Sequence, residues 1–223
     1  MSPRPFERPA TIALPEIESL PTGSSLDGLW LPVPREDGVR GGAVVAAPHP
    51  LMGGSMDSPV TTEIALALCD SGFVALRFNW RGVGASAGMA SGEAEDADVD
   101  YRAALAFMEE SVEGPIVGCG YSWGALTAVR VCLDSPRVQK LVLVAPPPAM
   151  LDHDVLASCG KALLVIAGDR DEYVPIDALR EVLDGVDRAE LIVLEGVDHF
   201  FMTGLADVGH GARGWLGSSA AGS

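Results

Sequence analysis

Basic residues are scarce in this sequence of 223 residues, where 15 lysines and arginines stand against 31 aspartates and glutamates. The resulting net charge of -16 makes most of the surface repel a polyanion such as a nucleic acid or an anionic membrane. We therefore expect neither nucleic acid nor membrane as a partner. The acidity accounts for solubility and identifies no substrate by itself.

Cysteine is also scarce, and long apolar runs are missing. The four cysteines, Cys69, Cys119, Cys132 and Cys159, form no C-x-x-C pair and no metal-like spacing with histidine. Three of them lie in apolar segments, as buried thiols do in a reducing compartment. No hydrophobic run follows the first residues, and the apolar stretches elsewhere are shorter than a membrane span. These features predict a cytoplasmic protein with thiols in its core.

What the sequence does contain is a regular alternation of apolar runs and segments of helical period. The runs predicted to be buried strands are Ala43–Ala47, Phe73–Phe78, Pro115–Cys119, Leu141–Ala145, Ala162–Ala167 and Leu191–Leu194. The predicted helices are Val60–Asp70, Glu93–Val112, Ala125–Leu133, Leu151–Ser158, Ile176–Val186 and a last helix after His199. This alternation predicts an α/β fold with a doubly wound, mostly parallel sheet, in which functional residues lie at the carboxyl ends of the strands.

The length and composition favour one α/β domain, which we place at residues 11–216. Residues 1–10 contain three prolines and residues 217–223 are small and polar, so both ends are predicted to be flexible. The segments Thr11–Leu20 and Leu26–Val33 are predicted to form an antiparallel hairpin at the sheet edge. The connection from Pro146 to Gly160 has room only for a loop and a short helix. We therefore expect no separate cap domain and an open site for small to medium acyl substrates.

The pentapeptide Gly120-Tyr121-Ser122-Trp123-Gly124 lies between a predicted strand and a predicted helix. In that context G-x-S-x-G is typical of a nucleophile elbow, a strained turn that exposes the serine hydroxyl. The flanking residues must be very small because strand and helix nearly collide there. Ser122 is therefore the candidate nucleophile, and the backbone N–H of Trp123 is one candidate donor of an oxyanion hole. A chance match in a chain with 26 glycines is the alternative.

A nucleophilic serine needs a base, and the base needs an acid that orients it. His199 follows the last predicted strand and completes the chain order serine, acid, histidine, so it is the candidate base. Asp169 and Asp171 both follow the preceding strand, which ends at Gly168. Asp169 suits the turn itself, where it would accept local backbone hydrogen bonds, and Asp171 is better placed to reach His199.

The second oxyanion donor is expected in the loop from Pro48 to Met56, which follows the first central strand. Pro50 has no N–H, so the backbone N–H of Leu51 is the candidate. His49 is interpreted as a residue that bonds this loop with its imidazole. Met52, Tyr121 and Phe200 are candidates for the substrate pocket, with ordinary core positions as the alternative.

These motifs resemble the α/β-hydrolase superfamily, through the G-x-S-x-G pentapeptide, Gly168-x-x-Asp171 with Val174-Pro175, and Gly196-x-x-His199-Phe-Phe. The stretches Pro48–Gly54 and Arg77–Ser86 resemble, more narrowly, small capless bacterial serine hydrolases allied to the dienelactone hydrolases. The resemblance covers the chain from about Leu26 to the last helix.

The resemblance implies an α/β-hydrolase fold and carboxylesterase activity. It implies Ser122, Asp171 and His199 as the catalytic triad, with Leu51 and Trp123 as oxyanion donors. Dienelactone hydrolases proper use a cysteine where this chain has Ser122, which argues against that specific activity. For the stretch Arg77–Ser86 we favour a structural role, a glycine-rich turn in which Arg81 pairs with a nearby carboxylate.

The sequence thus predicts a serine hydrolase that cleaves carboxylic esters through an acyl-enzyme and needs no metal or organic cofactor. The partner is a small-molecule ester substrate. Thioester or amide hydrolysis, acyl transfer, and a ligand-binding protein that has lost catalysis remain as alternatives. A monomer and a homodimer are both compatible with the sequence.

Overall fold

The computed structural model describes residues 7–18, 20–33 and 38–218. Within these ranges the chain forms one sheet of eight strands. The strands are β1 (Arg8–Ala13), β2 (Ser25–Leu31), β3 (Gly41–Ala46), β4 (Phe73–Phe78), β5 (Ile116–Tyr121), β6 (Val138–Val144), β7 (Ala162–Gly168) and β8 (Ala189–Leu194). The helices are α1 (Pro59–Asp70), α2 (Ala94–Ser111), α3 (Trp123–Cys132), α4 (His153–Ser158), α5 (Ile176–Leu183) and α6 (Leu205–Ser218).

The sheet is mostly parallel, with strand order β1-β2-β4-β3-β5-β6-β7-β8. Only β1 with β2 and β2 with β4 pair in antiparallel fashion in the described part of the chain. Helix α1 packs against α6, and α2 packs against α3. Strands β3, β4, β5 and β7 are buried along their whole length, which explains why they are apolar at nearly every position rather than at alternate ones. The predicted fold class is therefore confirmed.

The edge hairpin is present, but its first strand differs from the prediction. Strand β1 begins at Arg8, inside the segment that we expected to be flexible, and ends at Ala13 rather than near Leu20. An edge strand tolerates the missing N–H of Pro9, so the proline does not exclude pairing there. Helix α6 likewise continues to Ser218, two residues into the predicted tail. Residues 1–6 and 219–223 lie outside the described residues.

The connection between β6 and β7 contains a short 3₁₀ turn at Pro148–Met150 and the six-residue helix α4. This confirms the prediction that the domain has no separate cap. None of the helices in the described ranges is long and apolar enough to cross a membrane.

The cysteines lie in the environments expected of them. Cys69, Cys119 and Cys132 are buried, and Cys159 is half-buried. Burial raises the pKa of the Cys119 thiol well above its ordinary value and that of Cys132 to about 12. These two thiols are therefore neutral and inert core groups near neutral pH.

Candidate active site

Ser122 is the single residue between the end of β5 and the start of α3. Its backbone has φ 53° and ψ -114°, a conformation that is strained for a residue with a Cβ. A Cβ on Gly120 would lie 2.2 Å from the backbone of Gly124, and one on Gly124 would lie 2.5 Å from the carbonyl oxygen of Ala47. Strand and helix therefore cross so closely that only glycine fits on either side of the serine.

The imidazole of His199 lies between Ser122 and Asp171. Its Nε2 is 3.0 Å from the Ser122 Oγ, and its Nδ1 is 2.7 Å from the Asp171 Oδ2. The other carboxylate oxygen of Asp171 accepts the backbone N–H groups of Tyr173 and Val174, at 2.8 and 3.0 Å. The buried carboxylate is thus fixed by its own loop, and it orients the imidazole toward the serine.

Tyr121 supports the loop that carries His199. Its hydroxyl donates a hydrogen bond to the His199 carbonyl oxygen at 2.7 Å. Burial, followed by the charges of Asp171 and Asp198, raises the pKa of this hydroxyl. The group therefore stays protonated and keeps donating over the whole range of physiological pH.

The other acid and the other histidines are placed differently. Asp169 accepts the backbone N–H of Gly196 at 2.6 Å, so it joins the loops after β7 and β8 instead of serving its own turn as we expected. His153 lies 3.1 Å from the Val182 carbonyl oxygen, and His210 is exposed on α6. Neither of these two histidines lines the cleft beside Ser122.

The loop after β3 contains a 3₁₀ turn at Pro50–Met52. The N–H of Leu51 donates to the His49 Nδ1 at 3.2 Å, so the imidazole bonds its own loop as predicted. The His49 ring also lies 4.7 Å from the Trp123 ring. Burial lowers the pKa of His49, which favours the neutral imidazole that this hydrogen bond requires.

The backbone N–H groups of Leu51 and Trp123 have different environments. Trp123 is the first residue of α3, so its N–H has no acceptor within the helix and lies at the positive end of the helix dipole. The Leu51 N–H already has the His49 nitrogen as an acceptor. Their assignment as the two oxyanion donors stays a prediction.

Arg77, Asn79 and Trp80 were not predicted to contribute to the site, yet they hold the loop after β3 in place. The Trp80 indole N–H donates to the carbonyl oxygens of Pro48 and Ala47, at 3.0 and 3.2 Å. The Asn79 Oδ1 accepts the Met56 N–H at 2.9 Å, and Arg77 donates to the Met56 carbonyl oxygen at 2.6 Å. Both ends of the loop are thus fixed from one neighbouring segment. The available signal was a set of polar side chains at the end of a buried strand.

The role expected for Arg81 is observed. Its guanidinium donates to the Asp100 carboxylate on α2 at 2.8 Å, and both side chains are buried. Arg81 also pairs with Asp96. These contacts tie the turn after β4 to α2.

A cleft of about 580 Å³ opens beside Ser122. Its lining includes the three pocket candidates, Met52, Tyr121 and Phe200, of which Met52 and Phe200 are strongly exposed. The other lining residues are Pro48, His49, Gly53, Gly54, Ser58, Pro59, Ser122, Trp123, Leu126, Pro147, Met150, Tyr173 and His199. Among the described residues, no group of three or more His, Cys, Asp or Glu side chains is arranged to hold a metal ion.

The fold and the Ser122, His199 and Asp171 arrangement place the protein among the α/β serine hydrolases. Residues 43–157 match the family described as serine aminopeptidase, S33, and the chain belongs to this family. The protein XC6422 of Xanthomonas campestris, described as an α/β serine hydrolase without lid, is 30% identical. Its structure superposes with a TM-score of 0.76 over 93% of this chain and 95% of that one.

Two further relatives are similar over most of their length. An α/β serine hydrolase homologue from Coxiella burnetii is 28% identical, with a TM-score of 0.79 over 94% of this chain and 97% of that one. The uncharacterized protein RP471 of Rickettsia prowazekii is 28% identical over 171 residues, or 71% of each chain.

Proposed function

We propose that the protein is a carboxylesterase that cleaves esters of small to medium acyl groups through an acyl-enzyme on Ser122. The observation that carries this proposal is the pair of hydrogen-bond distances on His199, 3.0 Å to the Ser122 Oγ and 2.7 Å to the Asp171 Oδ2. A serine hydroxyl becomes nucleophilic near neutral pH when a base so oriented can take its proton.

This geometry supports the following reaction. The His199 Nε2 takes the proton of Ser122 as the Oγ attacks the ester carbonyl carbon, and the protonated imidazole is stabilised by Asp171. The imidazolium then gives the proton to the leaving alcohol, which leaves the acyl group on Ser122. A water molecule, deprotonated by the same nitrogen, attacks the carbonyl carbon of the acyl-enzyme. The bond from that carbon to the Ser122 Oγ breaks, the proton passes from His199 back to the Oγ, and the carboxylic acid is released. No step requires a cofactor.

The negative charge on the tetrahedral intermediate needs donors near the serine. We assign this role to the N–H groups of Trp123 and Leu51. The helix N-terminus at Trp123 supports the first assignment, because its N–H has no helical acceptor. The position of Leu51 on the loop beside the cleft supports the second, and its N–H would share or exchange the bond to His49 when the oxyanion forms.

Amide hydrolysis is the second candidate, because the family description names an aminopeptidase. The same acyl-enzyme would also serve thioester hydrolysis or acyl transfer to an alcohol. Rates on an ester, a thioester and an amide of one acyl group, with and without an alcohol acceptor, separate these reactions. A ligand-binding protein without catalysis would show none of them.

Location and domain extent are further parts of the proposal. We place the enzyme in the cytoplasm, acting on a small-molecule ester, with residues 11–216 as one catalytic domain. The buried thiols support a reducing compartment, and the continuous sheet supports a single domain.

A fluorophosphonate probe tests the proposal, because it labels an activated serine. We expect one adduct, located on Ser122 by peptide mass spectrometry, although Ser58 lines the same cleft. Ser122→Ala should lose both labelling and ester hydrolysis, and His199→Ala should slow labelling by orders of magnitude. Ser158→Ala, on the surface of α4, is the control and should label normally. Ester hydrolysis that persists in Ser122→Ala, or a folded protein that takes no label, would refute the assignment.

A further inference from the structure

The cleft beside Ser122 is lined without any group of fixed charge. Among the described residues that line it, none is Asp, Glu, Lys or Arg. The Asp171 side chain lies behind His199 with no exposed surface. A charged substituent on a bound substrate would therefore lose part of its hydration without gaining a counter-ion inside the cleft.

Two aromatic rings mark the side of the cleft from which the alcohol leaves. His199 must deliver a proton to the leaving oxygen, so the alcohol portion of an ester lies on the His199 side of Ser122. The rings of Tyr173 and Phe200 lie there, with centroids 4.9 and 5.6 Å from the imidazole. They meet each other edge to face at 6.5 Å and an interplanar angle of 82°.

Both rings face solvent instead of the core. Tyr173 is 54% exposed and Phe200 is 62% exposed, although both line the cleft. Large exposed aromatic side chains beside a reacting group gain most when an apolar or aromatic ligand covers them. Neither ring is required to hold the Asp171 carboxylate, because Tyr173 bonds Asp171 through its backbone N–H.

We propose that the substrate is an uncharged ester whose alcohol or phenol portion packs against Tyr173 and Phe200. This inference rests on the proposed esterase function and narrows its substrate class. It also argues against aminopeptidase activity, which the family description names. An aminopeptidase substrate carries a free α-ammonium group, which needs a carboxylate partner, and no carboxylate lines the cleft in the described part of the chain.

A charge series tests the acyl portion. The phenyl esters of heptanoic, 6-aminohexanoic and adipic acid have similar lengths and present a methyl, an ammonium and a carboxylate end at pH 7.5. We expect kcat/KM for the heptanoate to exceed that for each charged ester by about tenfold, because a charge that loses part of its hydration without gaining a partner is unfavourable. Equal values, or a preference for the ammonium ester, would overturn the proposal.

Side-chain truncation tests the alcohol portion. Tyr173→Ala and Phe200→Ala should lower kcat/KM for phenyl heptanoate about tenfold more than for methyl heptanoate, with the loss mainly in KM. Met89→Ala is the control, because Met89 is 84% exposed and does not line the cleft. An equal loss of kcat/KM on both esters would show that the rings support His199 and do not bind the leaving group. That result would contradict the proposal.

Failure of the substrate class and failure of the esterase function give different results. If no ester is cleaved and Ser122 takes no fluorophosphonate label, the proposed function fails. If Ser122 is labelled and the protein cleaves the charged esters as fast as the neutral one, the esterase function is supported and only the proposed substrate class is wrong.

Discussion

The indole N–H of Trp80 donates a hydrogen bond to the carbonyl oxygen of Pro48 at 3.0 Å. Trp80 lies just after β4, and Pro48 lies just after β3, the parallel neighbour of β4. The turn after one strand therefore fixes the loop after the next, and that loop carries Leu51. The stability of the candidate oxyanion loop depends on a residue that has no contact with substrate in the proposed mechanism.

Replacing Trp80 by Phe removes this donor and keeps an aromatic ring. We expect the free energy of unfolding to fall by about 1–3 kcal/mol, because the carbonyl oxygens of the buried Ala47 and the half-buried Pro48 lose their donor. We also expect kcat to fall on the order of tenfold, since a displaced loop weakens oxyanion stabilisation. Urea denaturation and steady-state kinetics measure the two effects.

The matched control is Trp30→Phe, on β2, where the indole packs on Phe107 of α2. It should change stability without changing kcat. If Trp80→Phe lowers the free energy of unfolding but leaves kcat unchanged, as Trp30→Phe should, then Trp80 does not position the oxyanion loop.

Asp171 and Asp169 offer a second test, because they lie two residues apart and differ in what they bind. In Asp171→Asn the side-chain oxygen can still accept the Tyr173 and Val174 N–H groups, while the amide N–H then faces the His199 Nδ1. That contact requires an unprotonated Nδ1, so Nε2 carries the proton and cannot act as a base. We expect the rate of fluorophosphonate labelling to fall on the order of 10⁴-fold with little loss of stability.

In Asp169→Asn the side-chain oxygen keeps its acceptor role toward the Gly196 N–H. Labelling at nearly the normal rate is the expected result. The two variants should be compared at the same pH with thermal melts as a check on folding. Equal labelling rates in both would remove Asp171 from the proposed triad.

The fold could be predicted from the sequence because the residue pattern of each strand shows whether one face or both faces of that strand are buried. Strands buried on both faces are apolar throughout, and the helices between them follow a different period, so both patterns are local. The start of β1 was not predicted because it depends on tertiary structure and not on a local pattern. Whether Pro9 is compatible with a strand depends on its place at the sheet edge, which only the assembled sheet defines.

The candidate site also has a part that could be predicted from local sequence and a part that could not. The strand, turn and helix around Ser122 are contiguous in sequence, so their geometry follows from small residues at two fixed positions. The contacts of Trp80 with Pro48 and of Asp169 with Gly196 join residues 32 and 27 positions apart. Such contacts depend on which strands are neighbours, and a hydrophobic pattern does not specify that order. The chemical roles of Ser122, His199 and Asp171 stay predictions until activity is measured.

We expect His49 to make the free energy of unfolding depend on pH. Burial places its folded-state pKa below the ordinary value of 6.5, so between these two values the unfolded chain binds more protons than the folded one. Stability from the neutral imidazole is therefore complete above pH 6.5 and is lost as the pH falls through that window. The hydrogen bond from the Leu51 N–H is lost with it, because a protonated imidazole has no acceptor nitrogen.

The measurement is the free energy of unfolding in urea at pH 7.5, 6.5 and 5.5 for the wild type, His49→Asn and His210→Asn. Asparagine at position 49 offers an oxygen acceptor that does not titrate, so this variant should lose less stability on acidification than the wild type. His210 is exposed on α6, and its replacement should leave the wild-type slope unchanged. Identical slopes for the wild type and His49→Asn would contradict this account.

Two glycine-to-alanine substitutions in helices should act in opposite directions. In Gly124→Ala the new Cβ would lie 2.5 Å from the Ala47 carbonyl oxygen and 2.6 Å from that of Ala46, both backbone atoms that cannot move aside cheaply. We expect a loss of about 1–3 kcal/mol in the free energy of unfolding. Displacing α3 would also displace Ser122 from His199, and a shift near 1 Å costs a rate on the order of 100-fold.

Gly214 is exposed inside α6. Apart from its chain neighbours and the backbone of its own helix, no described atom lies within 4 Å of the position that a Cβ would take there, so Gly214→Ala meets no obstacle. Alanine loses less backbone entropy than glycine in a helix, so this variant should gain about 0.5–1 kcal/mol and keep full esterase activity. Thermal melts and fluorophosphonate labelling of both variants check the contrast. Since the two substitutions are chemically identical, a stable and active Gly124→Ala would show that strand and helix do not cross as closely at Ser122 as the structure has them.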